Sequence, residues 1–227
     1  MREKVLYGMA AAAALLLVWN FYQIFLVLPD ERDQGAIYRL VFLHVPTVFV
    51  SLLAPYVAVA LSLAYLKSRN LVWDRIASSL IEVGWVFACV NLATGMIWAR
   101  IIWGIWWTWD ARLTSMFTLW LLFGGYLMLR AAIPDTDQRA RLSAVLNVFA
   151  AVNVLIVYKS IEWWRTQHPA PVLSVRDGGG MAPGMEQALW LNFLAFALLA
   201  AVIVMVRTRQ QSAGQEIEAL RRFAHAG

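Results

Sequence analysis

The stretch MREKVLYGMAAAAALLLVWNFYQIFLVLP, residues 1–29, opens like a secretory leader and then runs on too long. The apolar region of a leader spans about 7–15 residues and ends at a small-residue cleavage site. Here apolar character continues from Val5 to Leu28 and no clear cleavage site follows, so the stretch reads as a first membrane helix. The remainder of the chain agrees. Of 227 residues, 61% are hydrophobic and 15% are charged, whereas a soluble domain is about half apolar and a quarter charged.

Six apolar segments have the length a spanning helix needs, about 20 residues. They cover approximately 5–28, 42–66, 76–99, 113–132, 142–159 and 186–206. The expected fold is an all-α integral membrane protein with six transmembrane helices. Residues 1–227 form a single membrane domain, and 207–227 are a polar, solvated tail. No internal repeat and no second domain is visible. The loop 160–185 carries HPAP and GGG, both helix-breaking.

Lys and Arg set the orientation. Twelve fall on the side of the two termini and seven on the other, so the termini are expected in the cytoplasm. The loops at 29–41, 100–112 and 160–185 then face outward. The net charge of +5 follows from this topology, and no nucleic-acid-reading motif accompanies it. One cysteine, Cys89, excludes a disulfide framework and a CxxC redox or haem-attachment pair. It reads as apolar filler.

The outer side gathers the unusual residues. WGIWWTWDARLTS, Trp103 to Ser115, packs four tryptophans into seven positions and ends in a charged pair. An aromatic belt at the lipid headgroups accounts for Trp98 and Trp163. It does not account for an excess on one side only, where seven of the twelve tryptophans fall. Trp103, Trp106, Trp107 and Asp110 repeat at i, i+3, i+4 and i+7, which predicts a short amphipathic helix with one broad aromatic face. Such a face suits a flat apolar ligand. Arg112 and Arg100 are placed to pair with acidic groups on it. Asp110 has a second reading, as the N-cap of the fourth helix.

Two of the three histidines also lie outside: His44 in YRLVFLHVP and His168 in SIEWWRTQHP, each beside a proline. His225 lies in the tail and reads as solvated. A helix starting near Pro46 puts His44 at its positive end, which favours neutral, ligating imidazole. Two histidines are too few for a structural zinc site. They suffice as the axial pair of a haem, whose porphyrin supplies four nitrogens. On the residues alone the two also serve as interfacial anchors.

These segments resemble the WWD haem-handling proteins, and among them the CcmC family of System I cytochrome c maturation, along nearly the whole chain. The resemblance implies non-covalent, transient binding of haem b at the periplasmic face of the bacterial inner membrane. It implies delivery to the haem chaperone CcmE, with CcmD and the CcmAB ATP-binding-cassette subunits as partners. His44 and His168 would be axial ligands to the iron. Trp103, Trp106, Trp107, Trp109, Asp110 and Arg112 would form the haem and chaperone platform. The larger CcmF-type and CcsA-type lyases share the signature but carry additional histidines.

No bond-making catalysis is expected of this chain. It has no GxxxxGK[ST] loop, so ATP would act only through partners. A cytochrome b-like electron-transfer subunit would need histidine pairs within the spans, and a haem-free permease subunit would tolerate loss of both histidines. Within the spans, Glu82 is a functional candidate by default, with Ser78 on its own face as a cheap partner. Gly84, Ala88, Asn91 and Gly95 form a small-residue stripe of the kind that lets helices approach. Asn147 and Asn153 read similarly. Glu162 is a candidate for orienting His168.

Overall fold

The computed structural model describes residues 2–168, 181 and 184–225. Six long helices account for most of it: α1 Arg2–Tyr22, α2 Val41–Ser68, α3 Leu71–Trp103, α4 Ala111–Ala132, α5 Thr136–Trp163 and α6 Met185–His225. A π turn at Gln23–Val27 extends α1, and a 3-10 turn at Ala36–Leu40 leads into α2. All six are long and apolar enough to cross a membrane. The described residues contain no β-strand, only an isolated bridge from Glu31 to Gly35.

Local chemistry sets the helix ends. Asn70, Asp110 and Asp135 cap α3, α4 and α5, each accepting from a backbone N–H of the first turn. Arg69 ends α2 at φ 55° and Gly104 ends α3 at φ 76°, both left-handed. Glycine is the residue that takes this conformation without a Cβ penalty, so α3 stops where the tryptophan stretch begins.

Helices α2 and α3 form the centre. One core joins α2, α3, α4 and α5 around Ala54, Ile81, Leu119, Phe123 and Val154. A second joins the end of α1 to α2 and α6 through Ile24, Phe42 and Leu189. The α2–α3 approach is close: a Cβ on Gly84 would lie 2.8 Å from the Ala54 Cβ. The small-residue stripe expected for packing performs that role here.

Polar side chains join the helices inside the bundle. Pro46 lies in the second turn of α2 and has no N–H for the Phe42 carbonyl four residues earlier. The Asn192 amide of α6 donates to that carbonyl instead. Asn192 in turn accepts from Asn20 of α1 at 3.0 Å. Asn147 donates to Ser62 and Asn153 to the Ser115 carbonyl, tying α5 to α2 and α4.

Two expectations need correction. The segment from 207 onward, expected as an exposed polar helix at a solvated end, is helical but forms the unbroken continuation of α6. At 1.5 Å per residue the 41-residue helix is ~60 Å long and outruns a bilayer core. Its polar face packs on the start of α3. The Thr208 and Ser79 hydroxyls share a hydrogen bond at 3.1 Å, and Arg75 donates to Gln215 at 2.9 Å. Glu82 does not rely on Ser78: Arg207 donates to both its carboxylate oxygens, at 2.6 and 3.1 Å. The side chain of His225 is outside what is described, as are residues 169–180, which hold Arg176 and the triple glycine.

Candidate functional site

The start of α2, the end of α3, the start of α4 and the chain just past α5 meet at one end of the bundle. His44 lies in the first turn of α2, so the helix begins before Pro46 and the histidine is part of it. Its ring faces α3, where Asn91, Thr94, Gly95 and Trp98 repeat at i, i+3, i+4 and i+7 and so share one face. Each has a separate task. Thr94 Oγ1 lies 3.0 Å from His44 Nδ1. Asn91 places its amide 3.3 Å from both ring nitrogens and 3.3 Å from the His44 carbonyl oxygen. Gly95 leaves room, since a Cβ there would come within 3.0 Å of His44 Cε1. Trp98 meets the ring edge-on at a centroid distance of 5.9 Å.

The Thr94 hydroxyl decides the tautomer of His44. It has a single proton, and the Val90 and Asn91 carbonyls lie 2.8 and 3.0 Å from its oxygen. A carbonyl can only accept, so the proton goes there and the oxygen's lone pair faces Nδ1. His44 therefore donates from Nδ1 to Thr94 and keeps the lone pair on Nε2, which accepts from the Asn91 amide at 3.3 Å. A metal taking that lone pair would displace the Asn91 bond.

None of this cradle was foreseen. Trp98 was expected in the lipid belt. Instead it is half-buried, donates to Gln34 at 2.8 Å and packs on Tyr38 and His44. The signal lay in the period of α3, where the stripe of small residues turns polar and then aromatic toward its end.

The tryptophan stretch differs from its expected form. Residues 104–110 are not helical, so Trp103, Trp106, Trp107 and Asp110 do not share one helical face. Gly104 stops α3 and Asp110 starts α4, which leaves too few residues for an independent helix. The segment is held from below by rings. Trp107 and Trp109 pack against each other at 5.5 Å and both against Phe117 of α4, which stacks on Trp120. Trp120 stacks on Trp85 and donates to Cys89. Trp103, Trp106 and Trp109 are exposed, whereas Trp107 turns inward.

The polar residues of the stretch divide. Asp110 caps α4 as foreseen, accepting from Leu113 N at 2.9 Å, and its second oxygen accepts from Thr166 at 2.9 Å. Arg100 is used differently from expectation: it donates to the Gly104 carbonyl and closes the end of α3. Arg112 lies in the first turn of α4, and both it and His168 fall near His44. Glu162 pairs with Lys159 at 2.6 Å. The architecture thus brings His44, His168, Asp110 and Arg112 to one end of the bundle and leaves Arg100 at the helix end.

A family profile described as Heme exporter protein C matches residues 1–222. The chain belongs to this family. It is 34% identical over 218 residues to a Heme exporter protein C of Bradyrhizobium diazoefficiens, covering 96% of this chain and 82% of the relative. It is 33% identical over 217 residues to that of Paracoccus denitrificans, covering 95% and 88%. It is 32% identical over 206 residues to that of Escherichia coli K12, covering 88% and 81%. As a family member with six spanning helices, it is a multi-pass integral membrane protein.

Whether the site suits a haem can be judged on its own atoms. Arg112 Nη1 and Trp107 Nε1 are buried and have no hydrogen-bond partner. A buried donor without a partner costs about 1–3 kcal/mol, more when charged, so each of these two can take an acceptor, as can other unpartnered donors elsewhere in the bundle such as Trp85 Nε1. Haem brings carboxylates of that kind on its propionates. No group of three or more His, Cys, Asp or Glu among the described residues is arranged to hold a bare metal ion. A porphyrin iron needs only the axial pair. The donors present therefore fit haem better than a free cation.

Proposed function

We propose that this chain takes part in haem export for cytochrome c maturation by holding haem b non-covalently between His44 and His168. The site lies on the outer, periplasmic side of the bacterial inner membrane, and the haem passes from it to the chaperone CcmE. CcmD and the CcmAB ATP-binding-cassette subunits complete the assembly. Haem is cargo here, and no bond-making step is assigned to this chain.

The observation that carries this reading is the convergence of the two outer histidines with Arg112. Thr94 engages His44 Nδ1 at 3.0 Å and directs the ring, with His168 and Arg112 near it. Arg112 Nη1 and Trp107 Nε1 await acceptors that propionates supply. The exposed indoles of Trp106 and Trp109 offer the rim that a chaperone would meet. Basic residues concentrate at the opposite end of the bundle, which supports an outer placement of the site.

The test is to co-purify the protein with the chaperone and record haem spectra of His44→Ala, His168→Ala and the double variant. Each single variant should lose six-coordinate ligation, and the double variant should lose haem. Wild-type haem content and ligation in both single variants would sink the axial assignment. Trp107→Ala should lower chaperone loading more than it lowers protein yield; equal losses would make it a folding residue.

A further inference from the structure

The first outer loop carries none of the residues assigned to haem, yet it is built to hold one side chain of α3. Glu31 shapes it. Its Oε2 accepts from the backbone N–H groups of Asp33 and Gln34 at 3.0 and 2.7 Å, and its carbonyl accepts from Gly35 N at 2.9 Å. Gly35 closes the turn at φ 68°, a conformation that favours glycine. Arg39 fastens the loop to the end of α1: its guanidinium donates to the Ile24 and Leu28 carbonyls at 2.8 and 3.0 Å and to Asp30. From this frame Gln34 Oε1 accepts from Trp98 Nε1 at 2.8 Å, and the Tyr38 ring meets the indole at right angles at a centroid distance of 5.9 Å. The indole in turn meets the His44 ring at right angles, again at 5.9 Å.

We infer that Gln34 and Trp98 are positioning residues, and that the first outer loop sets the plane of the His44 imidazole through the indole it clasps. The inference rests on the axial role proposed for His44. The Thr94 bond at Nδ1 selects a tautomer, but a bond to one ring atom leaves the ring room to rock about it. A broad, rigid indole set edge-on to the ring takes that room away. The indole can do so only if it is itself held. Its Nε1–H is bonded to Gln34, and its body packs into the core that joins the end of α1 to α2 and α6. The orientation of one iron ligand is thus set from the first outer loop and the end of α1, neither of which touches the iron. Ligating histidines depend in general on such outer partners for ring orientation.

The experiment uses the full-length protein in detergent, loaded with haemin, in wild-type, Gln34→Leu, Gln34→Glu, Trp98→Phe and His44→Ala forms, with the Gln34→Leu/Trp98→Phe double variant. Electron paramagnetic resonance reads the g values of low-spin ferric haem, which report the planes of the axial ligands. Haem loss is timed with excess apomyoglobin as acceptor, and unfolding of the haem-free protein is followed on heating. Gln34→Leu keeps the bulk and removes the acceptor. It should shift and broaden the low-spin signal and speed haem loss about tenfold, the order seen when a group supporting a metal ligand is removed. Gln34→Glu keeps an acceptor for the indole and should behave as wild type. Trp98→Phe keeps a ring without an N–H and should match Gln34→Leu. The double variant should be no worse than either single, because both remove the same bond. Wild-type g values in Gln34→Leu and Trp98→Phe, with ligation lost in His44→Ala, would overturn the clasp and leave the axial role standing. An unaltered spectrum in His44→Ala would overturn the axial role and the clasp with it. Faster haem loss from Gln34→Leu at wild-type g values, in step with earlier unfolding of the haem-free protein, would also count against the clasp, since the loop would then serve the fold and not the ring.

Discussion

Arg112 and Arg130 begin and end the same helix, α4, and the structure treats them in opposite ways. Arg130 is 10% exposed and donates to both oxygens of Asp74, itself 6% exposed, at 2.7 and 2.9 Å. It also reaches Ser143 and lies over the Tyr126 ring. Arg112, at the histidine end, keeps Nη1 buried with no partner. A sequence that satisfies one buried guanidinium so fully can satisfy the other. The contrast concerns these two guanidiniums and not the whole of each end, since Arg75 Nε, Arg139 Nε and the Tyr126 hydroxyl near Arg130 are also buried without a partner. Glu82 with Arg207, and Tyr65 with Asp137, are further pairs at the Arg130 end.

The largest effect should come from breaking the Arg130 pair. Asp74→Ala leaves a buried guanidinium uncompensated, and loss of one member of such a pair costs about 3–5 kcal/mol. The expected outcome is a marked fall in the fraction surviving heating in detergent, read by size-exclusion chromatography. The haem spectrum of the surviving fraction should be unchanged. A stable Asp74→Ala variant with altered haem ligation would erase the distinction between the two guanidiniums.

Arg112→Gln tests the other guanidinium. No existing bond of Nη1 is lost, so stability should hold within about 0.5 kcal/mol, as for a change outside a structural network. Haem affinity should fall about 10–100-fold, the worth of one hydrogen bond to a charged group at about 1.5–3 kcal/mol. Haem titration and a thermal scan on the same sample separate the two quantities. Loss of stability with unchanged affinity would place Arg112 with Arg130. Thr94→Val should act more narrowly. Without the hydroxyl, His44 is no longer held as the Nδ1–H tautomer, and affinity should drop about tenfold with little change in unfolding.

The gap between sequence and structure follows the same division. The six spans were legible because bilayer thickness sets a length that composition can meet or miss, and α3, α5 and α6 run beyond their apolar cores by a turn or more. His44, His168 and Asp110 were legible because rare polar residues at the ends of spans stand out. The tryptophan segment was misread as a helix because its period was right, yet Gly104 and Asp110 leave no length for nucleation. Arg100 was assigned to the ligand as an outer-loop cation, but its short-range partner at Gly104 claims it. The Asn91–Thr94–Gly95–Trp98 face was hidden because its meaning depends on which side chain of α2 lies opposite, and pairing of helices is tertiary information. The link from Asp110 to Thr166 joins positions 56 apart and has no local signature at all.

The smallest effect should come from Glu82, the residue that composition singled out most strongly. An ionisable group within a span is a candidate for transport chemistry by default. Here its carboxylate faces Arg207 at 2.6 Å, with side chains 29% and 41% exposed. A pair this accessible is worth about 0.2–1 kcal/mol when it is solvated. It sits where α6 packs on the start of α3, at the end opposite His44, beside Ser79 and Thr208. Glu82→Gln keeps the shape and an acceptor for Arg207 and removes only the charge. Haem binding and transfer should be unchanged, with unfolding shifted by less than about 1 kcal/mol. If Glu82→Gln instead slowed haem transfer while leaving unfolding alone, the Arg207 end would carry function as well as structure. The contrast between Arg112 and Arg130 would then describe two steps of one path rather than a site and its foundation.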